Sequence, residues 1–241
     1  MLDITNKMIF ISGGNEIMRN FYDEHKWISS NSKMSIPGSK GDFKEVKQEI
    51  EIKPFFISAF LVTTDLYHHI VDKKISTLSN DLPVVNVSWY DAVNFCNLLS
   101  IDMGFDPCYD IDIHSGEVFC NWENNGFRLP SEAEWQYACR AGSKDYQYGE
   151  IEDIAWYSGN SKGHIHKVGE KAPNQWGIYD MLGNVWEWCW DLYDEKHYGS
   201  YRVFRGGSWA EEKRCCGATC RRRSHPSFQI DDLGFRIAKS I

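Results

Sequence analysis

From about residue 145 onward the chain is rich in Gly, Asn, Asp and Trp, and its short apolar runs show no helical period. An irregular stretch of this length stays ordered in a compact domain only when turns and specific packing hold it. The large rings for such packing are present, since the chain contains 10 Trp, 12 Tyr and 13 Phe. We therefore expect a well-packed domain with little regular secondary structure.

The first half of the chain carries clear helix signals at two places. Ser88 and Asp91 form a capping box, and apolar residues follow them at helical spacing. Ser131 and Glu134 repeat the arrangement ahead of a second apolar stripe. These two boxes predict the two main helices of the domain.

The remaining elements of the first half are predicted from composition. Residues 8–11 read as a strand that ends in a glycine turn, and the β-branched and aromatic run 55–64 reads as a second strand. A short helix is expected over residues 65–71. The polar segment 22–50, which contains Gly and Pro, is expected to be a loop.

Charge and segment length restrict the function classes. The net charge of −8 argues against nucleic-acid binding and against attachment to a membrane surface, since both favour a basic face. No apolar run reaches the roughly 20 residues needed to span a bilayer, and no leader pattern precedes the domain. With no internal repeat or linker, we expect one soluble, cytoplasmic domain over residues 1–241. The residues define no oligomeric state.

The eight cysteines contain no CxxC pair and no zinc-finger spacing. Without a leader, reduced and mostly buried thiols are the expected state. Cys96 and Cys139 fit it, because each lies on the apolar side of a predicted helix. The cluster of Cys215, Cys216 and Cys220 is the exception.

Five motifs occur in an order that resembles the formylglycine-generating enzyme, or sulfatase-modifying factor, family. The resemblance spans roughly residues 8 to 239 and implies an α+β fold of C-type-lectin-like type. That fold has two main helices, small twisted sheets and much irregular but ordered chain. The motifs are PVVNVSWYDA at 83–92, FRLPSEAEWQYA at 127–138, GNVWEW at 183–188, RGGSW at 205–209 and GFR at 234–236.

These motifs make physical sense as scaffold. Trp186 and Trp188 alternate around Glu187, so a strand would place both indoles on one side. The glycine pair at 206–207 permits a positive φ or a close backbone approach. Arg236 is expected to be a buried arginine that ties loops together through its five donors. The motifs thus identify the fold, and a fold does not identify a function.

The family's oxidases carry two cysteines after the Gly-Gly-Ser-aromatic motif, the first two residues on and the second five residues later. Their thiolates bind copper and convert a substrate cysteine to formylglycine. Here Glu211 takes the first place and Cys216 the second. A carboxylate is a hard ligand and does not replace a thiolate for cuprous ion, so the pair is broken.

A shifted register is the alternative, because Cys215 and Cys220 are also five residues apart, with Cys216 beside them. In that case the chain is a copper-dependent oxidase that acts on a cysteine of a protein or peptide. Otherwise the three residues are free thiols, with Cys216 packed near Cys189.

Other members that the chain resembles are non-oxidase, variable ligand-binding proteins, which vary residues between the GGSW and GFR motifs. The matching positions here are 210–214, 222–225 and 227–230. We therefore expect a domain that binds a protein or peptide through its C-terminal loops, which are basic in an otherwise acidic chain; the alternative is a solvated charged face. The expected contact residues are Trp209, Glu211, Glu212, Lys213, Arg214, Arg222, Arg223, His225 and Phe228.

Two further places are candidates for metal. The resemblance implies a possible calcium site at Asn174, Gln175, Gly177 and Asp180, where oxygen-rich turns suit a hard cation; a turn without an ion is the alternative. His164 and His166 would share a strand face, although exposed loop residues are favoured there. The adjacent residues His68 and His69 point apart.

Overall fold

The computed structural model describes residues 7–19, 47–73, 81–112 and 115–241. These residues form one 3-10 helix (Lys213–Cys215) and five α-helices, namely α1 (Thr64–Val71), α2 (Trp89–Asp102), α3 (Glu132–Arg140), α4 (Ile151–Ile154) and α5 (Glu195–Tyr198). They also form twelve strands, namely β1 (Met8–Ile11), β2 (Gly14–Arg19), β3 (Lys47–Ile52), β4 (Phe55–Ser58), β5 (Tyr109–Ile111), β6 (Val118–Cys120), β7 (Phe127–Arg128), β8 (Trp186–Leu192), β9 (Arg202–Arg205), β10 (Arg221–Ser224), β11 (Leu233–Gly234) and β12 (Ala238–Ser240).

Both predicted main helices are confirmed, together with their capping boxes. Ser88 Oγ accepts a hydrogen bond from the Asp91 amide, and the Asp91 carboxylate accepts one from the Ser88 amide. Ser131 and Glu134 do the same at the start of α3. The short helix predicted over residues 65–71 is also present as α1, which begins after its cap at Thr63. Local side-chain to backbone bonds set all three starting points.

The strand predictions are confirmed only in part. The strand at 8–11 is present, but the run predicted over 55–64 ends at Ser58. Beyond it the backbone bonds to other segments, since the Val62 amide donates to the Phe235 carbonyl and Thr63 caps α1. The predicted loop over 22–50 was wrong at residues 47–50, which belong to β3 and pair with β2. Its remaining part lies outside the described residues.

The strands form two four-stranded sheets and two ribbons among the described residues. One sheet has the order β1-β4-β12-β7, so strands from both ends of the chain meet in it. The other has the order β10-β9-β8-β11, in which β11 runs parallel to β8. The ribbons are β2-β3 and β5-β6. This arrangement confirms the expected α+β architecture of two main helices and small sheets.

Aromatic packing orders the second half of the chain, as its composition predicts. Trp186 and Trp188 lie on one side of β8, and each indole centroid is 5.3 Å from the ring of Phe204. Glu187 lies on the opposite side, where its carboxylate accepts a hydrogen bond of 2.9 Å from Trp135 Nε1. The alternation predicted for these three residues of β8 is confirmed.

The glycine pair after β9 has positive φ values, +102° at Gly206 and +81° at Gly207. A Cβ on Gly207 would lie 2.7 Å from Cys216 Sγ, so this backbone packs directly on a buried thiol. The motif is therefore a close-approach turn. None of the helices within the described ranges is long and apolar enough to cross a bilayer.

Candidate functional site

The loop after β9 places Glu211 against Arg222 of strand β10. Arg222 Nη1 lies 2.8 Å from Glu211 Oε1, and Arg222 Nη2 donates to Oε2 at 3.0 Å, so the pair is bidentate. The same guanidinium lies 5.1 Å from the centroid of the Trp186 ring. The position of the oxidases' first cysteine is thus occupied by a carboxylate that is already paired with a cation.

The second cysteine position is a buried thiol. Cys216 has no exposed surface, and burial raises the pKa of its thiol to about 12. Burial likewise raises the pKa of Cys215 and of Cys220. Thiols with raised pKa values stay protonated at neutral pH unless a coordinating metal displaces the proton.

The residues at the two family positions therefore do not fit a dithiolate copper centre. Glu211 supplies a hard oxygen that is held by Arg222, so Cys216 is the one sulfur ligand at these two positions. In the part of the chain that the structure describes, no group of three or more His, Cys, Asp and Glu side chains is arranged to hold a metal ion. A shifted register through Cys215 and Cys220 stays a prediction.

All eight cysteines are free thiols. Cys96 and Cys139 are fully buried, and Cys216 lies in the same hydrophobic cluster as Cys189. Tyr146 covers this region from outside, since its ring lies where a Cβ on Gly217 would be and its hydroxyl donates to the Arg214 carbonyl at 2.5 Å. None of the sequence motifs points to Tyr146, and only the high aromatic content of the chain hints at its role.

We call the nine predicted contact residues the C-terminal loop surface. Arg214 and Glu212 form a largely exposed ion pair at 2.7 Å, and the Phe228 ring is 38% exposed. Trp209 is half-buried. The full set is Trp209, Glu211, Glu212, Lys213, Arg214, Arg222, Arg223, His225 and Phe228.

Strand β10 sends its three consecutive arginines to alternate sides. Arg221 points inward, where its Nε donates to Glu132 Oε1 at 2.6 Å. Arg222 is exposed, whereas Arg223 is half-buried with its guanidinium 3.8 Å from the centroid of the Tyr198 ring. The C-terminal loop surface holds four Lys and Arg residues against two Glu residues, so its net charge is +2 on a chain of net charge −8.

Three residues of the predicted calcium site, Asn174, Gln175 and Gly177, lie in one turn, in which the Gly177 amide donates to the Asn174 carbonyl. The fourth, Asp180, follows three residues later. Asn174 is buried, and its Oδ1 accepts hydrogen bonds from the amides of Trp176 and Ile178 at 3.0 and 3.2 Å. Asp180 is buried as well, accepts from the Gly169 amide at 2.7 Å, and has a pKa that burial raises to about 6. Gln175 is exposed, and Gly177 has φ +79°. Both buried side chains are engaged with protein donors, and calcium binding stays a prediction.

The candidate histidine pair packs on an aromatic ring. The rings of His164 and His166 are 4.4 Å apart, and His166 stacks on Trp156 at 3.7 Å. His166 Nε2 lies 2.8 Å from the Ser161 carbonyl oxygen. His166 is therefore held by stacking and by a backbone oxygen.

Several known proteins are similar to this chain in sequence or in structure. The solved structure of Treponema denticola variable protein 1 superposes with a TM-score of 0.80 at 28% identity, covering 97% of this chain and 95% of that one. The chaperone protein LppX of Paenibacillus barcinonensis is 27% identical over 84% of this chain and 85% of its own length. The formylglycine-generating enzyme of Mus musculus is 29% identical over 69% of this chain.

Several matches extend well beyond the length of this domain. The chain spans 46% of the mouse enzyme and between 24% and 39% of three chlamydial relatives. The family described as the sulfatase-modifying factor enzyme 1-like domain matches residues 3–241, which is nearly the whole chain. This chain therefore belongs to the family of sulfatase-modifying factor enzyme 1-like domains and has their C-type-lectin-like fold.

Proposed function

We propose that this chain is a non-oxidase binding domain that recognises an acidic protein or peptide segment through its C-terminal loop surface. The observation that carries the proposal is the bidentate pair of Glu211 and Arg222, which stands where the oxidases need a thiolate. With a paired carboxylate at position 211, the chain lacks a soft metal ligand at this position and has instead a polar group that a binding partner could contact.

The chemistry of the C-terminal loop surface supports an acidic partner. Its net charge of +2 contrasts with the acidic remainder of the chain, so an acidic segment is drawn to this face. Arg222 beside Trp186 and Arg223 beside Tyr198 combine a planar cation with an aromatic ring. Such pairs stack and hydrogen-bond at once, which is typical of residues that dominate binding energy.

The relatives support a binding role as well. The likeness to a protein named variable protein 1 extends over nearly the full length of both chains. The positions that vary in the non-oxidase members, as the sequence resemblance places them, are 210–214, 222–225 and 227–230, and all of them except Glu211, Arg223 and Ser224 are exposed. Variation at exposed loop positions changes ligand choice with little effect on the fold.

Selection from a random peptide library on immobilised protein tests the proposal. We expect acidic peptides to be enriched on the wild type, and their affinity to fall at least tenfold in the double variant Arg222→Ala, Arg223→Ala. Lys53→Ala is the matched control, because it removes an exposed cation outside this surface. Loss of the Arg223 stacking contact costs about 1 kcal/mol, so the double variant still folds. Equal affinity for the wild type and the double variant would contradict the proposal.

The oxidase alternative makes a different prediction for the unmodified chain. It requires stoichiometric cuprous binding and oxygen-dependent conversion of a cysteine-containing peptide. We expect neither, because the first of the two family positions holds a carboxylate that is paired with Arg222 and is a hard ligand, unsuited to cuprous ion. Robust turnover with added cuprous ion would overturn the non-oxidase assignment.

A further inference from the structure

Strand β10 forms an open edge of its sheet. In the order β10-β9-β8-β11, β10 pairs with β9 along one side, and no other described strand lies along its second side. The free side of an edge strand offers unpaired backbone N–H and C=O groups, which can pair with a strand from another chain. The backbone of β10 is therefore a possible contact in addition to its side chains.

The hydrogen bonds of β8 determine which residues of β10 face the open edge. The Trp186 amide donates to the Asp232 carbonyl on the β11 side of β8, so the backbone groups of the next residue, Glu187, point toward β9. Glu187 lies opposite Arg205, whose backbone groups therefore point back toward β8. Those of the adjacent residue, Phe204, point toward β10, because the direction alternates along a strand.

The same alternation continues into β10. Phe204 lies opposite Arg222, so Arg222 is the residue that bonds to β9 through its backbone. The backbone N–H and C=O of Arg223 then point to the open edge. Neither group has a hydrogen-bond partner among the residues that the structure describes.

The side chain of Arg223 is a cation without a counter-ion at this edge. Its guanidinium lies 3.8 Å from the centroid of the Tyr198 ring and 4.7 Å from that of Tyr193. Its Nε is buried, whereas Nη1 and Nη2, which also lack a partner within the described ranges, keep contact with solvent. These two terminal nitrogens can donate to a carboxylate that arrives from outside.

The opposite face of β10 does not require a second acidic residue. Arg222 forms its bidentate pair with Glu211 on that face, and Ser224 is neutral. Side chains of an added strand alternate between the two faces. An acidic residue that lies beside Arg223 would therefore have neighbours that face an arginine whose charge is already matched.

We propose that an extended peptide adds to the open edge of β10 as a fifth strand, with its backbone paired to Arg223 and one acidic side chain bound to the Arg223 guanidinium. This inference rests on the proposed function, since it describes how the acidic segment is held. Main-chain bonds of this kind supply affinity, and the alternating side chains supply specificity. The expected motif is one acidic residue flanked by neutral, strand-forming residues.

Magnetic resonance titration with the capped peptide acetyl-Thr-Val-Thr-Glu-Thr-Val-Thr-amide tests the proposal on protein that is isotope-labelled at its arginines. We expect saturable binding that slows hydrogen exchange of the Arg223 amide at least tenfold. The same peptide with Gln in place of Glu should bind roughly tenfold more weakly, because it lacks the charged acceptor.

Two substitutions at one position separate the backbone from the side chain. Arg223→Ala removes the guanidinium and keeps the amide, so affinity for the Glu peptide should fall roughly tenfold. Arg223→Pro also removes the outward N–H and should abolish binding. Its melting temperature should stay close to that of Arg223→Ala, because an edge strand tolerates proline where the N–H faces outward.

Three results would each overturn strand addition: no saturable binding of the Glu peptide, no slowing of exchange at Arg223, or equal affinity in Arg223→Ala and Arg223→Pro. If Arg223→Pro does not fold, the exchange of the wild-type Arg223 amide decides the outcome. None of these results contradicts the proposed function, because the library selection assumes no extended backbone. That function fails when Arg222→Ala, Arg223→Ala binds the selected acidic peptides as tightly as the wild type.

Discussion

Glu187 and Arg236 form an ion pair in which neither side chain is exposed to solvent. Arg236 Nε donates to Glu187 Oε2 at 2.5 Å, and Nη2 donates to Oε1 at 2.8 Å. The guanidinium also donates to the carbonyls of Ser58 and Tyr179. One arginine thus joins strand β4, strand β8 and the loop before β8, which confirms its expected role in tying loops together.

Replacing this arginine should be among the most destabilising changes in the domain. Arg236→Met leaves Glu187 buried and unpaired, which costs about 3–5 kcal/mol of unfolding free energy. Arg214→Met is the control, because its pair with Glu212 is exposed to solvent and contributes little to stability. Urea unfolding of both variants measures the difference, and similar losses for the two would contradict the buried pair's structural role.

Glu211→Cys should create a cuprous site that the wild type lacks. The substitution places cysteines at both family positions, 211 and 216, and frees Arg222 from its pair. A coordinating metal deprotonates its thiol ligands, so the raised pKa of Cys216 does not prevent binding. Competition against a chromogenic cuprous chelator measures the affinity. Glu211→Ala is the control for loss of the ion pair, and equal affinity in the two variants would refute the prediction.

Asp191 should make stability depend on pH in the weakly acidic range. Burial and then the nearby Glu132 carboxylate raise the pKa of Asp191 to about 6. A carboxyl whose folded pKa is raised stabilises the fold fully below its unfolded pKa of roughly 4, and this contribution is lost as the pH rises through 6. The loss is up to about 3 kcal/mol for a shift of this size.

Asp191→Asn isolates this effect, because the amide oxygen still accepts the hydrogen bond from the Glu132 backbone. We expect the wild type to lose stability relative to Asp191→Asn between pH 4 and 7, as urea unfolding at several pH values would measure. Asp110→Asn changes an exposed aspartate and serves as the control. A difference between wild type and Asp191→Asn that stays constant with pH would show that Asp191 does not titrate in this range.

Gly207→Ala should destabilise the fold more than the same substitution at another glycine that has a similar positive φ. The new Cβ would meet Cys216 Sγ at 2.7 Å and the Cys215 carbonyl oxygen at 2.9 Å. Gly142→Ala is the matched control, since its φ is +90° and no atom lies within 4 Å of the new Cβ. Backbone strain alone costs about 1–3 kcal/mol. Thermal unfolding should show a clearly larger loss for Gly207→Ala, and equal losses would mean that the collision is relieved by a local shift.

Features that depend only on residues close together in the chain could be predicted from the amino-acid sequence. The capping boxes at Ser88 and Ser131 act within three residues, so the starts of α2 and α3 followed directly. The alternation around Glu187 has the period of a strand, which placed Trp186 and Trp188 on one side. The substitution at Glu211 was likewise visible in the motif spacing.

Contacts between distant segments could not be predicted from the sequence and are seen only in the tertiary structure. Strand β12 pairs with β4, which lies about 180 residues earlier, and the polar run at 47–50 became a strand because β2 was there to pair with it. The partner of Glu211 and the open edge of β10 depend in the same way on which segments become adjacent. Local hydrogen bonds and periodicity are properties of a short segment, whereas a long-range pair or a sheet edge exists only once the intervening loops have closed.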